Sequence, residues 1–408
     1  MTTVDRLAAL GMAAERELRR DILPFWAEHA VDRERGGFVG AVSMDGRPDP
    51  AAAKGGVLNA RILWTYAAAL RRWPEPLYRE MADRAFEYLL AHFWDPEHSG
   101  LFWELDADGG ILQGRKQTYG QAFGIYALAE YSRATGNPEA LGRAIRLFED
   151  IERHAVDPGS GGYWEARGRD WRPIDDVRLS AIDMNAPFSM NTHIHVMEAY
   201  STLCLAWDDP RPRGRLRALL EILLDRIVDP STGHLVLFFD QSWRSLSTTV
   251  SYGHDIETSW LICEAAESVG DPTLTARTKA AALRLAAAVL AEGYDSELGG
   301  VYNDRLGDGR INTAKDWWPQ AEGVVGFLNA FSLSGVEDYA AAALRTWRFI
   351  DSCVIDHSGG EWYTRVTREG VPQPGLAKAD FWKCPYHNAR AMLETMDRVR
   401  LLMESSRR

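Results

Sequence analysis

Much is missing from this 408-residue chain, and each absence excludes something. The four cysteines, Cys204, Cys263, Cys353 and Cys384, lie far apart with no C-x-x-C. Neither a disulfide framework nor a structural zinc site is expected, and a reducing compartment fits. No stretch reaches 18 apolar residues, and the amphipathic start MTTVDRLAALGMAAERELRRDILPFW lacks the apolar centre of a signal peptide. The expectation is a soluble, cytoplasmic protein with no membrane partner. Net charge is −12 without a long basic run, which argues against nucleic acid as a partner. No Pro/Ser-rich linker or low-complexity insert divides the chain, so residues 1–408 are read as one domain. No exposed apolar surface is evident in the pattern, and a monomer is expected.

What is present is repetition. An aspartate-led glycine turn occurs six times: DRERGGFVG from Asp32, DPEHSGLFW from Asp95, DPGSGGYWEA from Asp157, DPSTGHLVL from Asp229, DSELGGVYN from Asp295 and DHSGGEWYT from Asp356. The steps between the aspartates are 63, 62, 72, 66 and 61 residues, the regularity of a repeated supersecondary unit. Between turns the apolar residues recur at helical spacing. LYREMADRAFEYLLAHFW (Leu77–Trp94) and ALGRAIRLFEDIERHA (Ala140–Ala155) keep one polar face and read as outer helices. Their partners, NARILWTYAAAL, GQAFGIYALAEY, NTHIHVMEAYSTLCL, HDIETSWLICEAA, QAEGVVGFLNAF and NARAMLETM, are apolar around most of their circumference and read as helices buried on both sides. Six such pairs without a polar capping repeat predict an all-α, closed (α/α)6 barrel with short β-hairpins at one rim. An open solenoid is the alternative.

In that barrel all inner helices start at the same rim. Their first turns carry Asn59 and Arg61; Tyr119 and Gln121; Asn191, His193 and His195; His254, Asp255 and Glu257; Trp317, Trp318, Gln320 and Glu322; and Trp382, Lys383, His387, Asn388 and Arg390. Polar groups are costly to bury without a use, so this set is expected to converge on one pocket. His193 and His195 are two apart and face different ways on a helix, so a shared metal ion is not expected, and His193 reads as a packed structural histidine. His254 and Glu257, three apart, share a face. The carboxylate is expected to orient the imidazole, although a plain helix-stabilising pair has the same spacing. His29, His92, His98, His154, His234 and His357 read as surface or structural. Several histidines, an arginine and tryptophans, without a metal cluster, suit proton transfer on a polar, uncharged small molecule. Imidazole titrates near neutral pH, and an arginine can stabilise a developing enediolate. No metal and no cofactor are expected.

The stretches MNTHIHVMEAY, SYGHDIETSWL, KDWWPQAE and DFWKCPYHNAR resemble the N-acylglucosamine 2-epimerase superfamily, and within it most closely the cellobiose 2-epimerases. GGFVG, LNARILWTYAAAL and GHLVLFFD extend the resemblance over nearly the whole chain. It implies an (α/α)6 barrel and metal-free epimerisation at C2 of the reducing-end glucose of β-1,4-linked disaccharides, with slow aldose–ketose isomerisation as a side activity. Carried over by motif, His254 and His387 are the implied acid–base residues, and His195 and Arg61 the groups that stabilise the enediolate. Tyr119, Asn191, Glu257, Glu322 and Asp183 are the implied substrate-binding residues, with Glu257 orienting His254 and with Trp318 and Trp382 stacking on the sugar. Cys384 receives no role. The rivals are a mannose isomerase, a monosaccharide or N-acylglucosamine 2-epimerase, a six-hairpin glycoside hydrolase working through Glu257 and Glu322, and a non-catalytic binding toroid.

Overall fold

The computed structural model describes residues 2–405. The first outer helix is α1 (Thr3–Glu17), which runs through a π-helical turn (Leu18–Ile22) into α2 (Leu23–His29). The other outer helices are α4 (Pro76–Tyr88), α6 (Pro138–His154), α8 (Pro210–Ile222), α10 (Pro272–Ala288) and α12 (Glu337–Phe349). The inner helices are α3 (Gly56–Arg72), α5 (Thr118–Thr135), α7 (Met190–Ala206), α9 (Tyr252–Val269), α11 (Trp317–Ser334) and α13 (Tyr386–Ser405). Four outer helices begin on proline, where a missing N–H costs nothing, and the side chains of Asn137, Asp209 and Asp271 cap three of these starts.

Each inner helix packs against the next in chain order, and α13 returns to α3. The ring therefore closes, as the six-fold repeat predicts, and the open solenoid is excluded. The inner helices are buried almost all round over their first three turns. The outer helices keep a solvent face, as in α6, where only Ala140, Ala144, Leu147, Phe148, Asp150 and Ile151 are buried.

The six aspartate turns are one structure repeated. In each, the aspartate N–H donates to the carbonyl five residues on and its carbonyl accepts the N–H four residues on. Its carboxylate takes further N–H groups inside the turn, as Asp95 does from Glu97 and His98. The residue four after the aspartate always has positive φ: Gly36, Ser99, Gly161, Gly233, Gly299 and Gly360. Glycine adopts that conformation without strain, which is why five of the six positions carry it. Short antiparallel strands stitch the rim. The strand before an inner helix pairs with one after the next turn, as Lys54–Gly55 does with Glu104–Leu105 and Lys315–Asp316 with Arg365–Val366. The expected short hairpins are Ala41–Val42 with Pro48–Asp49, Glu104–Leu105 with Ile111–Gln113 and Asp304–Arg305 with Ile311–Asn312.

Candidate active site

The fourth residues of the first five inner helices are Asn59, Gln121, His193, Asp255 and Gln320. Four of them tie the helix to its rim turn. Gln121 accepts the Leu101 N–H at 2.7 Å and donates to the Leu101 carbonyl at 2.9 Å, and Gln320 does the same to Val301, at 2.8 Å each. His193 accepts the Tyr163 N–H at Nε2 (3.0 Å), and Asp255 accepts the Leu235 N–H (2.8 Å). In the last repeat Asn388 donates to Glu361 Oε1 (2.6 Å), which also accepts the Trp362 N–H. Asn59 turns back to the Gly55 carbonyl (2.9 Å). These groups hold the rim together and do not join the pocket, which corrects the expectation that the whole polar set converges there. His193 is the structural histidine that its spacing predicts.

Two residues further along, the side chains face the barrel axis: Arg61, Phe123, His195, Glu257 and Glu322, with Arg390 from α13 at the same depth. Above them is a cavity of about 330 Å³, within the range of small-molecule pockets, roughly 300–1,000 Å³. Arg61, Tyr119, Asp183, Asn191, His195, His254, Glu257, Trp318, Trp382 and His387 all line it. Glu322, expected to bind substrate, instead stands behind His387.

The three imidazoles are each held from behind at Nδ1. His387 is 2.7 Å from Glu322 Oε1, His195 is 2.9 Å from Glu198 Oε2, and His254 is 2.7 Å from Ser251 Oγ. Nε2 of each is left for the cavity. Glu257 does not orient His254, contrary to expectation. It accepts from Arg390 Nη2 at 2.6 Å, and its Oε1 lies 3.8 Å from His387 Nδ1. The correct pair with the same three-residue spacing is His195 with Glu198, visible in NTHIHVME but assigned no partner from the sequence. Asn191 Oδ1 and Glu257 Oε2 are buried oxygens with no partner among the described residues, available for hydroxyl groups.

Arg390 is the hub beneath the floor. It donates to Glu198, Glu257 and Glu322, and its guanidinium lies 4.7 Å from the Trp260 ring. Ligand atoms of Glu257, Glu322 and His387 lie within 4.8 Å of one another, the spacing of a metal site, but one guanidinium nitrogen bonds both glutamates there. Three carboxylates, Glu198, Glu257 and Glu322, share the one Arg390 guanidinium. Burial and the charge of Glu322 accordingly push Glu257 up to about 8, so it keeps its proton at neutral pH. Burial works against ionisation of Glu198 as well, yet Arg390 and the bond from His195 hold it down at about 2. Burial pulls His254 down to about 3, reinforced by His195, and takes His387 well below the ordinary histidine range; both are neutral when substrate arrives.

Arg61 has no carboxylate partner of its own among the described residues. It donates to the Tyr119 hydroxyl at 2.6 Å and to Cys384 Sγ at 3.8 Å, and it lies over the rings of Phe123 (4.1 Å) and Tyr386 (4.8 Å). Cys384 therefore supports Arg61, a contact that its place in the sequence did not suggest. The mouth carries Trp318, whose ring centroid is 4.7 Å from His254 and 5.5 Å from His387, and Trp382. It also carries Leu179, Ser180, Ile182 and Asp183, from a segment without regular structure between the third turn and α7. Of these only Asp183 was expected, because an irregular loop leaves no periodic signal in sequence. Ser180 donates to Asp183 Oδ2 at 2.6 Å.

The family profile N-acylglucosamine 2-epimerase (GlcNAc 2-epimerase) matches residues 36–391. A cellobiose 2-epimerase of Bacteroides fragilis is 44% identical over 382 residues, covering 94% of this chain and 97% of that protein. The structure of cellobiose 2-epimerase from Bacillus thermoamylovorans B4167 superposes with a TM-score of 0.91 at 36% identity, over 96% of this chain and 100% of the other. That of cellobiose 2-epimerase from Spirochaeta thermophila superposes with a TM-score of 0.89 at 38% identity, over 97% and 98% of the two chains.

Proposed function

The chain belongs to the N-acylglucosamine 2-epimerase family and is a carbohydrate epimerase, and from that premise we propose that it inverts C2 of the reducing-end glucose of a β-1,4-linked disaccharide such as cellobiose or lactose. The observation that carries the reading is the trio of imidazoles around one cavity, each fixed at Nδ1 and free at Nε2. His254 and His387 form the acid–base pair. Ring opening moves a proton from O1 to O5 and yields the C1 carbonyl. One imidazole then takes the C2 proton. The C–H electron pair becomes the C1–C2 double bond, and the carbonyl electrons pass to O1. Arg61 is charged, buried and without a carboxylate partner, and with His195 it stabilises the enediolate oxygens. Return of the proton to the other face of C2 gives the mannose epimer, and its return to C1 gives the ketose as a slow side product. Asn191, Glu257 and Tyr119 hold hydroxyl groups, Asp183 closes over the sugar, and Trp318 and Trp382 offer ring faces at the mouth. Hydrolysis is disfavoured because Glu257 and Glu322 share one Arg390 nitrogen instead of flanking open space for a glycosidic bond.

The test is incubation of the full chain with cellobiose in D₂O containing EDTA. Glucosyl-β-1,4-mannose deuterated at C2 is expected, and His387→Ala or His254→Ala should lower kcat by about 10² to 10⁴. Release of glucose, or an unchanged sugar with no deuterium at C2, would sink the proposal.

A further inference from the structure

The three cavity imidazoles differ in what stands behind them. His195 and His387 rest on carboxylates, whereas His254 rests on the hydroxyl of Ser251. Ser251 is the N-cap residue of α9, a position from which a serine side chain ordinarily accepts a first-turn N–H. It makes no such bond. Ser189, the N-cap of α7, does: it accepts the Thr192 N–H at 3.1 Å. At two equivalent positions, one serine caps its helix and the other gives its hydroxyl to an imidazole.

We propose that Ser251 is a positioning residue of the reaction: its hydroxyl fixes His254 through Nδ1 with Nε2 toward the sugar and, being neutral, leaves the His254 imidazolium without the carboxylate that His195 and His387 have behind them. The proposal rests on the reading of this cavity as the epimerisation site. A carboxylate behind an imidazole stabilises the imidazolium, whereas a hydroxyl serves either protonation state. The titratable groups facing His254 are His195 on α7, Glu322 on α11, His387 across the Trp318 ring and Glu257 one turn along α9, and none of them bonds to it. The two imidazoles thus differ in what meets their charged form: Glu322 bonds to His387, where Arg61 and Arg390 oppose protonation, and no carboxylate bonds to His254.

Ser251→Ala, Ser251→Thr and Ser251→Asp in the full chain test this. Ser251→Ala should lower kcat on cellobiose roughly 10- to 100-fold with little change in KM. Its Tm should stay within about 2 °C, because no cap is lost. Ser251→Thr should restore most of the rate. Ser251→Asp should move the acid limb of the kcat/KM profile upward by about one pH unit. Imidazole nitrogen NMR, with His254 assigned from a His254→Gln spectrum, should show its titration moving in parallel. Wild-type kcat and pH profile in Ser251→Ala would overturn the proposal. So would a loss of rate matched by a loss of Tm, with the His254 titration unmoved. If the wild-type chain does not epimerise cellobiose, the functional reading fails, and the NMR titration still decides whether Ser251 governs His254.

Discussion

Equivalent positions on the inner helices do unlike work, and His193 and His195 show why. Both are buried. His193 donates from Nδ1 to the Ser189 carbonyl at 2.6 Å and accepts the Tyr163 N–H at Nε2, so both ring nitrogens are used within the rim and only the neutral form fits. Burial pulls its pKa down to about 4, against 6.5 for a free imidazole. A histidine held below its unfolded pKa stabilises the fold fully above about pH 6.5, and that contribution is lost as pH falls toward 4, to a total on the order of 3 kcal/mol. Gln121 and Gln320 do the same job in neighbouring repeats without titrating. His193→Gln is therefore expected to change stability by less than about 1 kcal/mol at pH 7.5. It should also flatten the loss of stability between pH 6.5 and 4, as checked by urea denaturation across that range. His195, two residues on, faces the axis and reaches the cavity. The spacing of the two histidines was legible because 100° per residue separates their faces. That Glu198, and not a residue near His254, completes a carboxylate–imidazole pair was not legible, since i,i+3 spacing allows a contact without selecting among carboxylates.

At the scale of one repeat, the aspartate turn was legible and its counter-ion was not. In four repeats a buried lysine from the segment before the inner helix reaches the turn aspartate: Lys54 to Asp32 (2.8 Å), Lys116 to Asp95 (3.0 Å), Lys315 to Asp295 (3.1 Å) and Lys378 to Asp356 (2.7 Å). The partners lie some twenty residues apart, beyond the reach of any local pattern, and only the folded turn brings them together. Each lysine clamps its helix to its turn and so fixes the height at which the active-site residues enter the cavity. Lys54 also donates to the Gly36 carbonyl and lies 4.7 Å from the centre of the Tyr88 ring. Lys54→Met leaves Asp32 buried without its cation and is expected to cost about 3 kcal/mol or more. Lys54→Met combined with Asp32→Asn should cost less than the two single changes added, because no lone charge remains. Equilibrium denaturation of the three variants measures the coupling, and simple additivity would refute it.

For the whole molecule the question is how a ring built from one continuous chain is closed. The first helix and the last turn meet around Glu361. Its side chain accepts from Trp26 Nε1 (2.6 Å), Lys383 Nζ (2.6 Å) and Asn388, and its N–H donates to Asp21. In return Trp362 Nε1 donates to Glu17 Oε1 at 2.7 Å. Residues more than 300 apart in sequence thus form one joint, and α1 packs on α13 beside it. The six-fold repeat implied closure but not this joint, because its partners are more than 300 residues apart and no local pattern pairs them. Burial, followed by the charges of Asp21 and Glu361, pushes Glu17 up to about 9 from an ordinary 4.5, so Glu17 keeps its proton at neutral pH. The sign follows from linkage: a carboxyl whose folded pKa is raised contributes its stability fully below 4.5 and loses it as pH rises through about 9. Glutamine reproduces the protonated acid, offering an oxygen to Trp362 and an N–H to Asp21, and does not ionise. Glu17→Gln should therefore melt at nearly the wild-type temperature near pH 5 and progressively above it toward pH 9. The joint would then be the part of the ring that alkali opens first. Parallel melting curves for the two proteins across that range would show that ionisation of Glu17 does not limit ring closure.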